Sequence, residues 1–271
     1  MQTAETPAHE KHGRLNLPEK FLRFTVDQRV QHWLLVLSFM ALLLTGLPQK
    51  FDDYDASLRI IDTLGGIDNA RLLHRLFASL FVIESVWHSA EIGLLIARGR
   101  FRPTMMFSWQ DFRDVVQMLR YSLGWTPDKP AFDRYDYRQK FEYWGIVFGA
   151  IIMIATGATL WFPTYVTRIL PGELVAASKE MHSGEALLAM LVIVIWHFYD
   201  IALSPMVFPL DTGMITGMIS RERLEEEHPK EFERIIEALE LERASTQHGA
   251  TPLEHWPRTR EGPLEAEQPA P

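Results

Sequence analysis

The sequence predicts an all-α integral membrane protein: a four-helix bundle with an interfacial amphipathic helix and a cytoplasmic C-terminal helical segment. Three observations carry this. Four apolar runs, about residues 30–47, 72–97, 143–162 and 182–210, reach or exceed the ~17–20 residues that cross a hydrocarbon core. Charged stretches separate them, so 47% hydrophobic content still averages to a mean hydropathy of only −0.05. Lys and Arg are distributed unevenly. Residues 1–29, 98–141 and 211–271 hold five, nine and seven, whereas the two other connections hold three and two, counting Arg71. By the positive-inside rule both termini and the long middle loop of a multi-pass protein are expected to be cytoplasmic.

Residues 1–29 are polar, with Lys11, Arg14, Lys20, Arg23 and Arg29. The first dozen are expected to be disordered and the part after Leu15 to lie along the membrane surface. The first apolar run starts only near Val30 and no small-x-small cleavage site follows, so it reads as a retained span rather than a signal peptide. Gly46 and Pro48 close it, and a connection with Asp52, Asp53, Asp55, Asp62 and Asp68 follows. The second span carries His74, Glu84, His88 and Glu91, a heavy load of ionisable groups for a segment in lipid.

Between spans two and three, residues 105–125 place Met106, Trp109, Phe112, Val116, Leu119 and Leu123 at three- and four-residue spacing, the pattern of a helix lying in the interface plane. The third span holds Gly145 and Gly149, with Gly157 and Ala158 further on, and so allows close approach of a neighbouring helix or of a flat macrocycle. After the fourth span, residues 211–244 read as a helical segment broken before Pro229, and residues 245–271 as a disordered tail.

Composition excludes several function classes. A net charge of −8 argues against a nucleic-acid partner. The absence of cysteine removes disulfides, thiolate catalysis, iron–sulfur clusters and covalent c-type haem attachment from this chain.

Ten histidines remain as the chemically informative residues. His9, His12, His228, His248 and His255 lie in polar segments and are expected to be solvated. The other five fall in the spans. In the expected topology His74 and His182 lie toward the outer side, and His32, His88 and His197 toward the cytoplasm. Separations of 14 residues on one helix and 15 on another put the two layers ~21 Å apart. A b-type haem needs two imidazoles at one depth from facing helices, and this stratification offers two such levels. A proton relay including Glu84, Glu91 and Glu185, or simple packing, are the rival readings. Arg71 and Arg75 flank His74 within one helical turn, placed either for haem propionates or for snorkelling to the interface.

Several motifs carry a resemblance: R-V-Q-H-W (Arg29–Trp33), L-T-G-L (Leu44–Leu47), A-R-L-L-H (Ala70–His74), Y-x-x-x-Q-K (Tyr135–Lys140), T-G-A-T-L-W (Thr156–Trp161) and the stretch from Gly213 to Ile236. Over about residues 20–240 the chain resembles the gamma, di-haem cytochrome b subunit of respiratory formate dehydrogenases. The broader family includes the cytochrome b subunits of hydrogenases and thiosulfate reductases. The resemblance implies two b-type haems, the outer on His74 and His182, the inner on His32 and His197. His88, 14 residues after His74, is the alternative to His32, in the arrangement of cytochrome b of the quinol–cytochrome c oxidoreductases.

The resemblance also implies an exchangeable quinone, menaquinone or ubiquinone, beside the inner haem and the loop before the third span. Asp136 and Arg138 stand there in place of the family's Asn and Gly. Asp136 either exchanges protons with the quinone or pairs with Arg138. The implied partner is a periplasmic-side iron–sulfur or multihaem electron-transfer subunit of an oxidoreductase complex, and the substrate-oxidising site lies on that partner. The rivals are a haem-free proton-conducting or transport bundle, a structural anchor, and a cytochrome b subunit serving another oxidoreductase.

Overall fold

A computed structural model describes residues 17–205 and 207–247. The disorder expected for the first dozen residues and for the tail beyond 247, and the solvation expected of His9, His12, His248 and His255, concern positions outside the described residues; residues 245–247 of the expected tail are helical. The chain divides into two compact units: Val26–Asp211, and the flanking segments up to Thr25 and from Thr212.

In the first unit the helices are α1 (Val26–Lys50), α2 (Asp55–Thr63), α3 (Ile67–Ala97), α4 (Trp109–Ser122), α5 (Tyr137–Trp161), α6 (Pro163–Val166) and α7 (Glu173–Leu203). Among the described residues α1, α3, α5 and α7 are long and apolar enough to cross a membrane, at 25, 31, 25 and 31 residues. They extend about 37–46 Å, beyond the ~30 Å hydrocarbon thickness. The chain is therefore a multi-pass membrane protein.

All four spans start several residues before the apolar runs do, because polar flanks continue the same helix. The Asp136 carboxylate caps α5, accepting from the N–H groups of Arg138 and Gln139 at 2.8 and 2.9 Å, so that helix begins at Tyr137 rather than near 143. Helix α7 begins at Glu173 rather than 182. It stops at Leu203 rather than 210, since Ser204 precedes Pro205 and takes an extended backbone. The last two turns of α7, Val192–His197 and Tyr199–Leu203, are wound more widely with π-type hydrogen bonding.

Helix α1 packs along α3, α5 along α7, and α1 meets α7. The buried faces are polar and the exposed ones apolar. On α1, Gln31, Ser38 and Thr45 recur every seventh residue and are buried, while Leu37, Met40 and Leu44 are exposed. Glu84, Lys140, Thr156 and Ser178 are the buried polar residues of the other three. In lipid there is no hydrophobic drive to bury leucine, so small and hydrogen-bonding side chains form the interior.

Helix α4 matches the expected amphipathic segment. It is tied to α5 by a buried ion pair between Lys140 and Asp111 at 2.7 Å, and the Trp144 indole donates to the Met105 carbonyl at 2.9 Å. Helix α2 forms where only a connection is expected; its Asp-rich sequence has no apolar run, but Ser57 and Ile61 share one buried face.

The second unit joins segments that are far apart in sequence. Strand β1 (Lys20–Leu22) pairs antiparallel with β2 (Met218–Ser220), with Phe21 opposite Ile219. Helices α8 (Gly213–Thr216), α9 (Arg221–Glu227) and α10 (Pro229–Gln247) complete it, and Phe21, Ile219, Leu224, Phe232 and Ile236 form its core. The segment expected to lie on the membrane surface is thus an edge of this small fold. His228 is also corrected: it is buried rather than solvated, and its Nε2 lies 3.1 Å from the Arg23 guanidinium, which pairs with Glu231. A carboxylate partner offsets part of the cost of burying Arg23.

Candidate functional site

The site sits inside the bundle and is built by two helical hairpins with the same plan. In each, the rising helix carries a Thr-Gly dipeptide, Thr45-Gly46 on α1 and Thr156-Gly157 on α5. The descending helix carries a histidine facing it, His74 on α3 and His182 on α7. The Thr45 hydroxyl donates to the Ala41 carbonyl at 2.7 Å and lies 2.9 Å from His74 Nδ1. Its single proton is committed to the carbonyl, so Nδ1 must be the donor and Nε2 is left as a bare lone pair. Thr156 repeats this: its hydroxyl donates to Ile152 at 2.6 Å and accepts from His182 Nδ1 at 2.9 Å.

The glycines complete the cradle. A Cβ on Gly46 would stand 2.9 Å from His74 Cε1, and one on Gly157 would stand 3.2 Å from His182 Cε1. The His74 and His182 rings come together with centroids 6.3 Å apart. Two metal–imidazole bonds of about 2 Å, with about 1 Å from each donor nitrogen to its ring centre, require about 6 Å. The spacing is that of two imidazoles sharing one metal.

The second level repeats this spacing. His32 on α1 and His197 on α7 have ring centroids 6.3 Å apart. His197 Nδ1 lies 3.3 Å from the Glu142 carboxylate, which orients the ring and leaves Nε2 as the nitrogen that contact does not use. His32 Nδ1 and Glu142 Oε1 are buried without a hydrogen-bond partner among the described residues.

His88 does not meet His197. Its Nδ1 lies 2.9 Å from Gln31 Oε1 and its Nε2 3.1 Å from the Tyr143 hydroxyl. Both its ring nitrogens are already used, whereas the four other span histidines form the two close pairs.

The remaining predicted positions fall around these pairs. Arg71 is exposed and reaches Asp68 only at 4.0 Å. Arg75 lies over the Trp161 ring, 5.6 Å from its centroid. Asp136 and Arg138 form a close ion pair with two hydrogen bonds, at 2.7 and 3.0 Å, and Arg138 also approaches Asp200 of α7 at 3.7 Å. Outside the spans, Asp111 is held below the ordinary carboxylate range: burial alone would raise it, and the Lys140 ammonium and the Ser108 N–H and hydroxyl outweigh that.

Thr45, Thr156, Gly46, Gly157, Glu142, Gln31 and Tyr143 are site residues beyond the ligands expected from the sequence, which marks only Gly157 among them, as room for a close neighbour. So is Lys50, whose ammonium donates to Ser183 at 2.7 Å, next to His182. The recurrence of Thr-Gly near the end of two spans is the sequence signal for the first four.

A family model for prokaryotic cytochrome b561 matches residues 23–209. The chain belongs to that family. It is a membrane cytochrome b electron-transfer subunit, and the family implies haem b. Two pairs of histidines at this ring spacing, the first held by threonines and glycines, fit that group.

The chain is similar to the cytochrome b556(fdo) subunit of formate dehydrogenase of Escherichia coli, 22% identical over 228 residues, 82% of this chain and 96% of the relative. It is 24% identical to the nitrate-inducible cytochrome b556(Fdn) subunit of the same organism, over 80% of this chain and 92% of the relative. The cytochrome b556 subunit of Haemophilus influenzae formate dehydrogenase is 20% identical over 85% and 90%.

Proposed function

We propose that this chain binds two b-type haems and relays electrons between an oxidoreductase partner and the membrane quinone pool. The observation that carries the reading is the pair of bis-histidine contacts at equal 6.3 Å ring spacing, on two levels of one bundle. His74 and His182 hold one haem, and His32 and His197 the other. Each bound haem supplies one-electron exchange between ferric and ferrous iron. Thr45 and Thr156 fix the tautomer of the first pair, and Glu142 that of His197, so that each Nε2 is presented as the ligand atom. Lys50 and Arg75 stand near the first pair as partners for propionate carboxylates.

The charge asymmetry supports an inner-membrane topology with the His74–His182 level toward the periplasm and both termini toward the cytoplasm. The partner docks on the periplasmic side, where Asp52, Asp53, Asp55 and Asp62 are exposed around α2. The relatives support a formate dehydrogenase-type complex, and the electron donor in this reading is its iron–sulfur subunit. The quinone meets the cytoplasmic level near the start of α5, where Asp136 positions Arg138.

Reduced-minus-oxidised optical spectra with haem quantification on the purified protein test this reading. Two haems per chain with b-type absorbance are expected. No b-type absorbance would sink it.

A further inference from the structure

The two hairpins follow one plan, and one pair in the match is not a pair of imidazoles. His32 lies 13 residues before Thr45, and Tyr143 lies 13 before Thr156. His88 follows His74 by 14 residues and His197 follows His182 by 15. The counterpart of the His32–His197 pair is therefore Tyr143–His88, with ring centroids 5.9 Å apart at the same level of the bundle. The duplicated plan keeps an imidazole there but puts a phenol where the other hairpin has its ligand.

Hydrogen bonding makes this pair directional. Gln31 donates from Nε2 to the Glu91 carboxylate at 2.6 Å, so its Oε1 faces His88 Nδ1. Oε1 can only accept, which puts the His88 proton on Nδ1. Nε2 is then an acceptor, and the Tyr143 hydroxyl donates to it at 3.1 Å. The order Glu91, Gln31, His88, Tyr143 is that of a carboxylate orienting an imidazole base toward a hydroxyl, with an amide interposed. Such a string is costly inside a membrane unless it is used.

Neighbouring contacts point the same way. Helices α3 and α5 make little backbone contact and are bridged at this level by the His88–Tyr143 hydrogen bond. Lys140 and Trp144, on either side of Tyr143, anchor the 105–111 segment beside it. Of the acids near this end of α5, Asp136 has both oxygens engaged by the Arg138 side chain and two backbone N–H groups, and Glu142 faces His197.

We propose that Tyr143 and His88 form the proton-exchanging contact with a quinone oxygen, His88 being oriented by Gln31 and Glu91. This rests on the quinone reading above. When quinol is oxidised, its O–H bond breaks and the proton joins the Tyr143 oxygen, while the Tyr143 O–H bond breaks and its proton joins His88 Nε2. The resulting imidazolium faces Glu91 through Gln31 and then releases a proton to cytoplasmic water. The other quinol hydroxyl loses its proton to water directly, and the two electrons leave one at a time to the one-electron carrier of the bundle. Quinone reduction runs the same exchange backwards.

Two probes test this on the purified holoprotein. An azido-substituted ubiquinone analogue, photolysed and mapped by mass spectrometry, is expected to label peptides containing His88 or Tyr143, with decylubiquinone competing. Menadiol-driven reduction, followed at the b-type α band, is expected to slow about 100-fold in Tyr143→Phe and in His88→Gln at saturating menadiol. Half-saturation should change little, the double variant should be no slower than either single one, and dithionite-reduced spectra should match wild type.

Labelling confined to residues 135–140 and His197, wild-type rates in Tyr143→Phe, or loss of haem from Tyr143→Phe would each overturn the proposal. A wild-type protein without b-type absorbance would instead defeat the di-haem reading, and the labelling map is read independently of it.

Discussion

Replacing Gly46 by alanine tests the cradle most directly. The new Cβ would lie 2.9 Å from His74 Cε1, and ordinary contact begins at about 3.4 Å, so the ring must recede by about 0.5 Å. Metal–ligand distances tolerate about 0.2 Å. His74 is also tethered to Thr45, the residue before Gly46, so the ring cannot recede without straining that 2.9 Å hydrogen bond. Gly157→Ala makes a milder demand, since its Cβ would lie 3.2 Å from His182 Cε1 and needs only about 0.2 Å.

The expected order is therefore specific. Gly46→Ala loses one of two haems, Gly157→Ala keeps both with a perturbed spectrum, and the His32–His197 level is untouched in each. Pyridine haemochrome quantification and low-spin electron paramagnetic resonance signals read this out. Two unperturbed low-spin haems in Gly46→Ala, or a larger effect from Gly157→Ala, would refute the reasoning.

Thr45→Val or Thr156→Val removes the acceptor for a ligand Nδ1–H and should weaken haem retention about 10–100-fold, measured as haem lost to excess apomyoglobin. Glu142→Gln takes a negative charge from His197 and should raise the potential of one haem only, seen in a redox titration; an unchanged potential would count against His197 as a ligand. Asp111→Ala leaves Lys140 buried without its partner and should cost about 3–5 kcal/mol of α4 docking, read as faster amide hydrogen exchange in Trp109–Ser122. The Asp111 carboxyl is held low in the folded protein, so its stabilisation is present above the ordinary carboxylate value of about 4. It fades as pH falls through the lowered value. Protection of the α4 amides, corrected for the pH dependence of intrinsic exchange, should therefore fall on acidification in wild type and lose that dependence in Asp111→Asn.

The amino-acid sequence by itself determined the membrane class, the four spans and the two levels of histidine, because hydropathy, helix rise and charge asymmetry are all properties of local sequence. His74 and His182 could be placed at one depth by counting residues. Counting could not decide between His32 and His88, which lie near the same depth; what separates them is which neighbour each ring meets. The structure gives His88 two hydrogen-bond partners, Gln31 and Tyr143, and brings His32 to His197.

Other features were equally invisible to a local reading. The β1–β2 pairing joins residues about two hundred positions apart, and His228 is buried only because Arg23 arrives from the other end of the chain. The extra turns at the start of α5 came from a capping carboxylate, and the early stop of α7 from a proline, rather than from hydropathy. Thr45 and Thr156 look like ordinary span residues until their hydroxyls are seen to fix an imidazole on the facing helix. Depth along a helix is set by the number of residues, and so the sequence determines it. Azimuth and partner depend on how four helices pack, and only the tertiary structure decides them.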